Sequence, residues 1–278
     1  PCLEKTFSGN GFIPNDTLLG CHDIAAHPST TRPSANIMLL TGANMGGKST
    51  YLRTSALCCI LAQLGCLVPC DEAVLSPVDR IFTRIGASDR ILEGQSTFFV
   101  ELSETSTILN HATARSLVIL DELGRGTSTF DGVSIAHAVV QKLATGICCR
   151  TMFATHYHTL TCNFSAHARV SLANMACQVS EGKEKDDPPT VMFLYKLVAG
   201  ASSRSYGLNV ARLAGLPEHV LRRAKEQSEG FERKMHTHAA RRIFQLLSTS
   251  TSEDFQSDHF QGKFVGAWNE AKEIVNGW

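Results

Sequence analysis

Short apolar runs alternate with amphipathic stretches through the first part of the chain. Three runs have the length and the continuous apolar character of buried strands: residues 36–40, 117–120 and 151–155. Three stretches carry apolar residues at helical spacing: residues 48–64, 103–114 and 134–144. Because parallel strands buried on both faces need crossover helices between them, this alternation predicts an α/β fold with a mainly parallel sheet.

Turn-forming residues and charged runs divide the rest of the chain. Glycines and prolines within residues 1–35 predict strands joined by turns, and residues 66–69 predict one more short strand. The polar run EGKEKDDPP at 181–189 predicts a solvated loop before a strand over 191–195. Residues 205–245 predict two or three further helices, one of which opens near a proline.

The charge balance argues against direct DNA binding by this chain. Its 26 Lys and Arg residues equal its 26 Asp and Glu residues, whereas a surface that grips phosphates by itself is usually basic. No apolar run reaches the roughly 18 residues that a membrane span requires. The chain begins at Pro1 without an initiator Met, which predicts a piece of a longer protein.

The cysteines are predicted to be reduced, buried thiols. The chain has ten of them, mostly in apolar stretches, which is typical of Cys in a cytosolic or nuclear protein. Cys66 and Cys70 have the spacing of half a metal site, but no second Cys or His pair follows at a suitable distance. No structural metal is therefore expected.

The strongest motif is the octamer GANMGGKS at 42–49, a G-x-x-x-x-G-K-S phosphate loop. It follows an apolar run and precedes a predicted helix, which is the context that such a loop requires. Its glycines let backbone N–H groups surround phosphate oxygens, and the helix N-terminus adds a positive dipole end. Lys48 is predicted to approach the β- and γ-phosphates of ATP, and Ser49 to ligate Mg²⁺.

Two acids end the apolar run at 117–120. Asp121 is predicted to hold Mg²⁺, directly or through water, and Glu122 to orient and polarise the attacking water. Without the phosphate loop, the same residues would suit a strand followed by a solvated turn. RecA-like helicases and ABC-type ATPases both place acids here, so the pair leaves several classes of P-loop ATPase open.

Four segments together resemble the MutS family of DNA mismatch repair proteins. They read TGANMGGKST at 41–50, STFFVELSE at 96–104, DELGRGTSTFDG at 121–132 and ATHYHTL at 154–160. The resemblance covers residues 1–245. Within the family, FIPND at 12–16 and the pairing of FTRIGASD with STFFVELSET are most similar to the sixth eukaryotic homologue or its plant relative, the seventh.

The resemblance implies an organisation in three parts. These are an ABC-type P-loop ATPase domain over residues 1–203, a helical dimerisation region at 204–245 and a poorly ordered or divergent tail at 246–278. The tail has no clear match in the family pattern, and its Ser/Thr-rich start has few apolar residues to bury. The basic stretch at 204–235 is interpreted as subunit packing rather than as a DNA-binding helix-turn-helix.

The resemblance also implies catalytic roles. Lys48, Glu122 and His156 are the catalytic residues, and His156 senses the γ-phosphate by hydrogen bonding. Ser49 and Asp121 are the Mg²⁺ ligands. A further residue acts in trans, since the family's signature loop points at the nucleotide of a partner subunit. Ser96 occupies that position, and it also suits a helix N-cap.

The nucleotide-binding residues implied by the resemblance come from two segments. They are Phe12, Ile13, Gly42, Ala43, Asn44, Met45, Gly46, Gly47, Lys48, Ser49 and Thr50. Phe12 stacks on adenine with Ile13 beside it, and Asn44 contacts the phosphates. Ala43 stands where the family usually has Pro, which predicts altered affinity at most, because the Gly, Lys and Ser positions of the motif are intact.

The implied function is hydrolysis of ATP to ADP and phosphate with Mg²⁺, coupled to recognition of mismatched DNA. Mismatched double-stranded DNA is expected to bind domains that precede Pro1, in a nuclear heterodimer with the second eukaryotic MutS homologue. Two alternatives stay open: another P-loop motor, such as a helicase or an ABC transporter ATPase, and a nucleotide-binding subunit-interaction module with little turnover. The chain lacks an LSGGQ-like run, and intact Asp121, Glu122 and His156 argue against an inactive module. No association with a membrane is expected.

Overall fold

The computed structural model describes residues 12–20, 35–86, 96–180, 190–202 and 206–231. The strands are β1 (Ile37–Thr41), β2 (Ile81–Arg84), β3 (Leu117–Asp121), β4 (Arg150–Ala154), β5 (Val170–Ser180) and β6 (Thr190–Ala199). The helices are α1 (Lys48–Gln63), α2 (Thr97–His111), α3 (Thr129–Gln141), α4 (His158–Phe164) and α5 (Gly207–Leu213), with a π-helical turn (Lys142–Ile147) after α3. A further helix covers 218–231. In these ranges no helix combines the length and the apolar character that a membrane crossing needs.

One sheet of six strands organises the first of two compact units, in the order β2-β3-β4-β1-β5-β6. Four neighbouring pairs run parallel: β2–β3, β3–β4, β4–β1 and β1–β5. The predicted α/β class and mainly parallel sheet are confirmed. Because parallel strands point the same way, the segments that follow β1, β3 and β4 leave the sheet at one edge. That edge carries the phosphate loop, Glu122 and His156.

Alternate residues of the central strand β1 enter two apolar layers. Ile37 and Leu39 belong to the cluster that contains buried residues of α3 and α4. Met38 and Leu40 belong to the cluster that contains buried residues of α1. Because helices cover both faces of the sheet, the strand is apolar at consecutive positions instead of alternating with polar residues.

Two helices begin earlier than their apolar spacing predicts. α2 begins at Thr97 rather than near residue 103, with the side chain of Ser96 as its N-cap. α3 begins at Thr129 rather than near residue 134, with the side chain of Ser128 as its N-cap. Both first turns are largely exposed, so apolar periodicity does not mark them, and the capping serine is the only local signal.

The short strand predicted at 66–69 does not form. Leu67 is 96% exposed, and the segment makes irregular turns on the surface. Residues 81–84 form β2 instead and pair with β3. An apolar run becomes a strand only where its backbone finds a hydrogen-bonding neighbour, and residues 81–84 occupy the place beside β3.

The second compact unit contains α5 and the helix over 218–231. The carbonyl of Pro217 accepts a hydrogen bond from the N–H of Leu221 at 3.2 Å, so the longer helix begins directly after the proline that was predicted to open it. A salt bridge of 3.0 Å joins Arg212 to Glu218 across the turn between the two helices.

Several sequence predictions fall on residues outside the described ranges: the loop at 181–189, any helix beyond 231, the tail at 246–278 and most of 1–35. Residues 12–20, the described part of that N-terminal segment, contain no strand. All cysteines within the described ranges are free thiols, but Cys149 alone among them is buried, whereas Cys66 and Cys70 are exposed. The prediction of generally buried thiols is therefore wrong. The described residues contain no cluster of three or more metal-ligating side chains.

Candidate nucleotide site

The phosphate loop joins β1 to α1 and uses backbone conformations that favour glycine. Gly42 and Gly47 have φ angles of 132° and 96°. A Cβ at Gly42 would lie 3.2 Å from the backbone N and O of Met175 on β5, so a side chain there would be crowded. These two positions explain why the motif needs glycine at both ends of the loop.

Lys48, the first residue of α1, lies across this loop. Its Nζ donates to the carbonyl oxygens of Gly42 at 2.9 Å and of Ala43 at 3.0 Å, and Lys48 is only 4% exposed. Burial lowers the pKa of Lys48 from its usual range, whereas the carboxylates of Glu122 and Asp121 act in the opposite direction. The ammonium group is therefore buried at the phosphate loop, beside two acids.

The other residues at the phosphate loop differ in their exposure to solvent. Ala43 is buried, and its carbonyl also accepts from the N–H of Gly46 at 3.2 Å. Asn44, Met45 and Thr50 are exposed. Asn44 and Met45 at the loop tip and Thr50 in the first turn of α1 are therefore accessible to a ligand.

Ser49 and Asp121 meet at the same edge of the sheet. The Ser49 hydroxyl donates to Oδ2 of Asp121 at 2.6 Å. The other carboxylate oxygen, Oδ1, is buried and accepts no hydrogen bond within the described part of the chain. A hydroxyl beside a carboxylate oxygen with spare lone pairs is a set of hard oxygen donors of the kind that Mg²⁺ prefers. The residues present therefore fit the predicted ion.

Glu122 follows β3 in a left-handed backbone conformation, with a φ angle of 58°. Its N–H donates to the carbonyl of Ala154 at 2.9 Å, next to the pairing of Asp121 with Ala154. A non-glycine residue in this region is uncommon and is held there by its surroundings. The bond to β4 brings Glu122 close to His156, which follows that strand.

The carboxylate of Glu122 contacts three basic side chains. Oε1 is hydrogen-bonded to Nε2 of His156, and Oε2 to the guanidinium of Arg125. Nζ of Lys48 lies 4.0 Å from Oε1. The hydrogen bond with His156, together with the charges of Arg125 and Lys48, lowers the pKa of Glu122 against the opposing effect of burial. The carboxylate is therefore ionised near neutral pH.

Similarity to known proteins extends over most of the chain. Residues 38–232 match the family model described as MutS domain V. The chain belongs to the MutS family. It is 52% identical over 247 residues to the DNA mismatch repair protein Msh6 of Gallus gallus, covering 89% of this chain and 18% of that protein. It is 50% identical over 226 residues to the DNA mismatch repair protein MSH7 of Arabidopsis thaliana, covering 80% of this chain and 20% of that protein.

The similarity reaches bacterial MutS as well. The chain is 48% identical over 231 residues to the DNA mismatch repair protein MutS of Caldanaerobacter subterraneus, covering 83% of this chain and 24% of that protein. The resemblance inferred from the motifs is thereby confirmed. The chain spans less than a quarter of the length of each of these MutS-family relatives.

The glycines after Glu122 allow two backbone segments of the chain to cross closely. Gly124 has a φ angle of 95°, and a Cβ on it would lie 2.7 Å from the carbonyl oxygen of Gly132. A Cβ on Gly126 would lie 2.7 Å from Cβ of Phe98 in the first turn of α2. No side chain fits at either place, so the glycine spacing in GRGTSTFDG has a packing reason.

The segment predicted to hold adenine lies beside β6. Asn15 donates to the carbonyl of Tyr195 at 2.8 Å, and it accepts from the backbone N–H two residues further along the strand at 2.7 Å. The ring of Tyr195 reaches the phosphate loop, since a Cβ on Gly47 would lie 3.3 Å from its Cδ1. Phe12 is 64% exposed and Ile13 is half-buried. The ring of Phe12 is thus accessible on a segment anchored next to the loop.

Ser96 lies at the exposed N-terminus of α2. Its Oγ accepts from the N–H of Phe99 at 3.2 Å, so the N-cap that its residue type suits is present. Phe99 and Phe130, in the first turns of α2 and α3, are 56% and 88% exposed. Ser96 and Phe99 are therefore both exposed at this helix N-terminus, whereas Lys48 is buried at the phosphate loop.

Sequence reasoning misses three side chains of this site: Arg125, Glu101 and Tyr157. Arg125 contacts Glu122, while the other two bond to the backbone of Gly124. Glu101 does leave a signal, because it occupies a core-facing helical position among buried residues of α2. A carboxylate at such a position indicates a buried partner.

Proposed function

We propose that this MutS-family chain binds ATP and hydrolyses it to ADP and phosphate, as the ATPase part of a DNA mismatch repair protein. The observation that carries the proposal is the convergence of Lys48, Ser49, Asp121 and Glu122 at the carboxyl ends of parallel strands in one sheet. A phosphate-loop lysine, a hydroxyl, a metal-binding acid and a second acid are the groups that phosphoryl transfer to water requires.

Binding uses the loop and the N-terminal segment. Backbone N–H groups of the glycine-rich loop and the ammonium of Lys48 neutralise phosphate charge, with Asn44 at the exposed tip. Phe12 stacks on the adenine, and Ile13 lies beside it. The anchoring of this segment on β6 by Asn15 supports the assignment, because β6 also contacts the loop through Tyr195.

Mg²⁺ fits the oxygen donors of Ser49 and Asp121. These two residues would hold the ion, and Oδ1 of Asp121 is the atom with unused capacity. When bound, the ion neutralises charge on the β- and γ-phosphates. The hydrogen bond between Ser49 and Asp121 keeps both donors on the same side of the loop.

Hydrolysis depends on Glu122 as an ionised carboxylate. Glu122 accepts a hydrogen bond from the attacking water and orients it, and its lowered pKa keeps it able to do so at neutral pH. His156 is hydrogen-bonded to Glu122, and its exposed ring would contact the γ-phosphate. Lys48 stabilises the charge that develops on the transferred group.

The role in repair belongs to a longer assembly. The relatives are called DNA mismatch repair proteins, and the chain spans about a fifth of the length of Msh6 and MSH7. Mismatched double-stranded DNA would bind other domains in the nucleus, and the second eukaryotic MutS homologue would be the heterodimer partner. Ser96 would point at the nucleotide held by that partner, which its exposed position supports.

The test is ATP hydrolysis by this chain as a function of added ATPase segment of the second homologue, with Glu122→Ala as the control. A rate that rises and saturates with partner, and falls in the control, supports composite sites. A rate that does not change with added partner but falls in the control would support ATP hydrolysis by this chain alone. It would refute the trans role of Ser96. Binding without turnover in any mixture would favour a nucleotide-binding module that sets subunit pairing.

A further inference from the structure

The peptide groups around Gly124, two residues after Glu122, are held by side chains from two other elements. Oε1 of Glu101 in α2 accepts from the N–H of Gly124. The hydroxyl of Tyr157, directly after His156, donates to the carbonyl of Gly124 at 2.9 Å. Burial raises the pKa of Tyr157 above its usual range, so this hydroxyl keeps its proton. The N–H and C=O of one residue are thus both fixed by side chains.

Burying the carboxylate of Glu101 carries a desolvation cost that only specific contacts can offset. Glu101 is 6% exposed, and its compensation comes from the Gly124 N–H and from Arg84, whose Nη2 lies 3.7 Å from Oε2. Arg84 is itself buried at the end of β2, and its Nε lies 3.2 Å from the carboxylate of Glu104. An apolar residue would fill this position of α2 without a desolvation cost, but it could not hold Gly124.

The turn after Glu122 needs such restraint. Glu122 and Gly124 both have positive φ angles, of 58° and 95°. Gly124 also crosses Gly132 too closely for any side chain. A backbone in sparsely populated regions relaxes when its contacts are removed, because the surroundings are what keep it there. The bonds to Gly124 therefore restrain this turn in addition to the direct contacts of Glu122 with Ala154, His156 and Arg125.

We infer that Glu101 and Tyr157 are positioning residues that clamp Gly124 and thereby aim the carboxylate of Glu122. The inference rests on the proposed function of Glu122. Glu101 lies on the same helix as Ser96, one turn after its N-cap. Ser96, the residue proposed to face a partner's nucleotide, therefore caps the same helix that contacts the turn after Glu122.

The experiment compares kcat, KM and ATP affinity for the chain with its partner segment in four variants: Glu101→Ala, Glu101→Gln, Tyr157→Phe and Glu104→Gln. Glu104→Gln is the matched control, because Glu104 is on α2 and contacts Arg84 but not Gly124. Loss of one buried hydrogen bond to this turn should lower kcat about tenfold in Glu101→Ala and Tyr157→Phe, with ATP affinity and KM within about twofold. Glu101→Gln keeps an acceptor oxygen and should recover part of the loss.

A second readout follows the clamp without turnover. The amide proton of Gly124, assigned by NMR in the full chain, should shift upfield and exchange faster in Glu101→Ala than in the parent and in Glu104→Gln. A dispersed spectrum shows that a variant is folded. If Glu101→Ala does not fold, Tyr157→Phe is used to test the clamp instead. A kcat equal to the parent's in both Tyr157→Phe and a folded Glu101 variant would overturn the inference.

The two proposals fail in different ways. If the parent chain with its partner has no turnover, the function proposed above fails. The Gly124 amide then decides the clamp alone, and an unshifted signal in Glu101→Ala and Tyr157→Phe overturns it. If the parent hydrolyses ATP, and Glu101→Ala and Tyr157→Phe raise KM but leave kcat unchanged, the proposed ATPase function stands. The positioning role of Glu101 and Tyr157 is then refuted.

Discussion

The phosphate loop and the N-terminus of α2 differ in how far one chain completes them. Beneath the loop, the ammonium of Lys48 and the carboxylates of Asp121 and Glu122 are largely buried and joined to protein groups. At the N-terminus of α2, Ser96 is exposed and Phe99 is 56% exposed. One region is a preorganised electrostatic site, and the other is an open surface.

The difference is the one that the proposed function requires of the two regions. A site that stabilises phosphate charge needs groups that are fixed before the ligand arrives, and burial with hydrogen bonds fixes them. Ser96, by contrast, lies beside the exposed ring of Phe99, and its side-chain contact within the described part of its own chain is the helix N-cap. Exposed aromatic residues of this kind are enriched at protein interfaces. The contrast is what we expect if two chains share each ATP.

The largest effect should come from the buried site. Lys48→Ala removes the ammonium that lies across the loop, and it should lower kcat/KM for ATP about 100-fold or more. Lys142→Ala, which removes an exposed lysine of the same unit, is the matched control. Steady-state hydrolysis with the partner segment measures both. Equal values for Lys48→Ala and parent would show that the loop is not the catalytic region.

The next effect tests the open surface in isolation from the chain's own site. In a chain that carries Glu122→Ala, the remaining turnover belongs to the partner's site. Adding Ser96→Ala should lower that turnover about tenfold, the loss expected for one hydrogen bond to a charged group. Single-turnover hydrolysis by the mixed dimer measures it. Unchanged turnover would leave Ser96 as a helix cap only, and the comparison of the two regions would lose its functional meaning.

A comparable but smaller effect should come from the adenine segment. Phe12→Ala removes the accessible ring, and the Kd for ADP should rise about fivefold to tenfold, since stacking of a base on an aromatic side chain contributes about 1 kcal/mol or more. Phe231→Ala, an exposed Phe of the second unit, is the control. Titration calorimetry gives both values. If kcat falls while Kd is unchanged, Phe12 does not hold the base.

The smallest effect concerns the pH dependence of stability. Because His156 lowers the pKa of Glu122 in the folded state, ionised Glu122 stabilises the fold above its unfolded pKa, and this contribution disappears as pH falls through the lowered value. At pH 7, the Tm of the parent should exceed that of Glu122→Gln by about 2–4 °C for each kcal/mol that ionised Glu122 contributes to the free energy of unfolding. This difference should shrink below about pH 4. Calorimetry measures both Tm values. A Tm difference that stays constant down to pH 3 would contradict the lowered pKa of Glu122 in the folded state.

The apolar strands and the loop motif could be predicted because their signals are local. β1, β3 and β4 appear as continuous apolar runs, and the G-x-x-x-x-G-K-S octamer carries its own conformational requirements at Gly42 and Gly47. The starts of α2 and α3 were predicted too late, because exposed first turns have no periodicity. The strand at 66–69 was wrong because residues 81–84 occupy the position beside β3.

The sequence by itself determined the fold class, the glycine-rich loop between β1 and α1, the position of Asp121 and Glu122 at the end of β3 and membership of the MutS family. Each of these depends on residue types at short spacing. Tertiary structure alone decided that Glu101 and Tyr157 reach Gly124, and that Asn15 anchors the Phe12 segment on β6. These contacts join residues that are far apart in sequence, and hydrogen-bond geometry between side chain and backbone leaves no periodic mark along the chain.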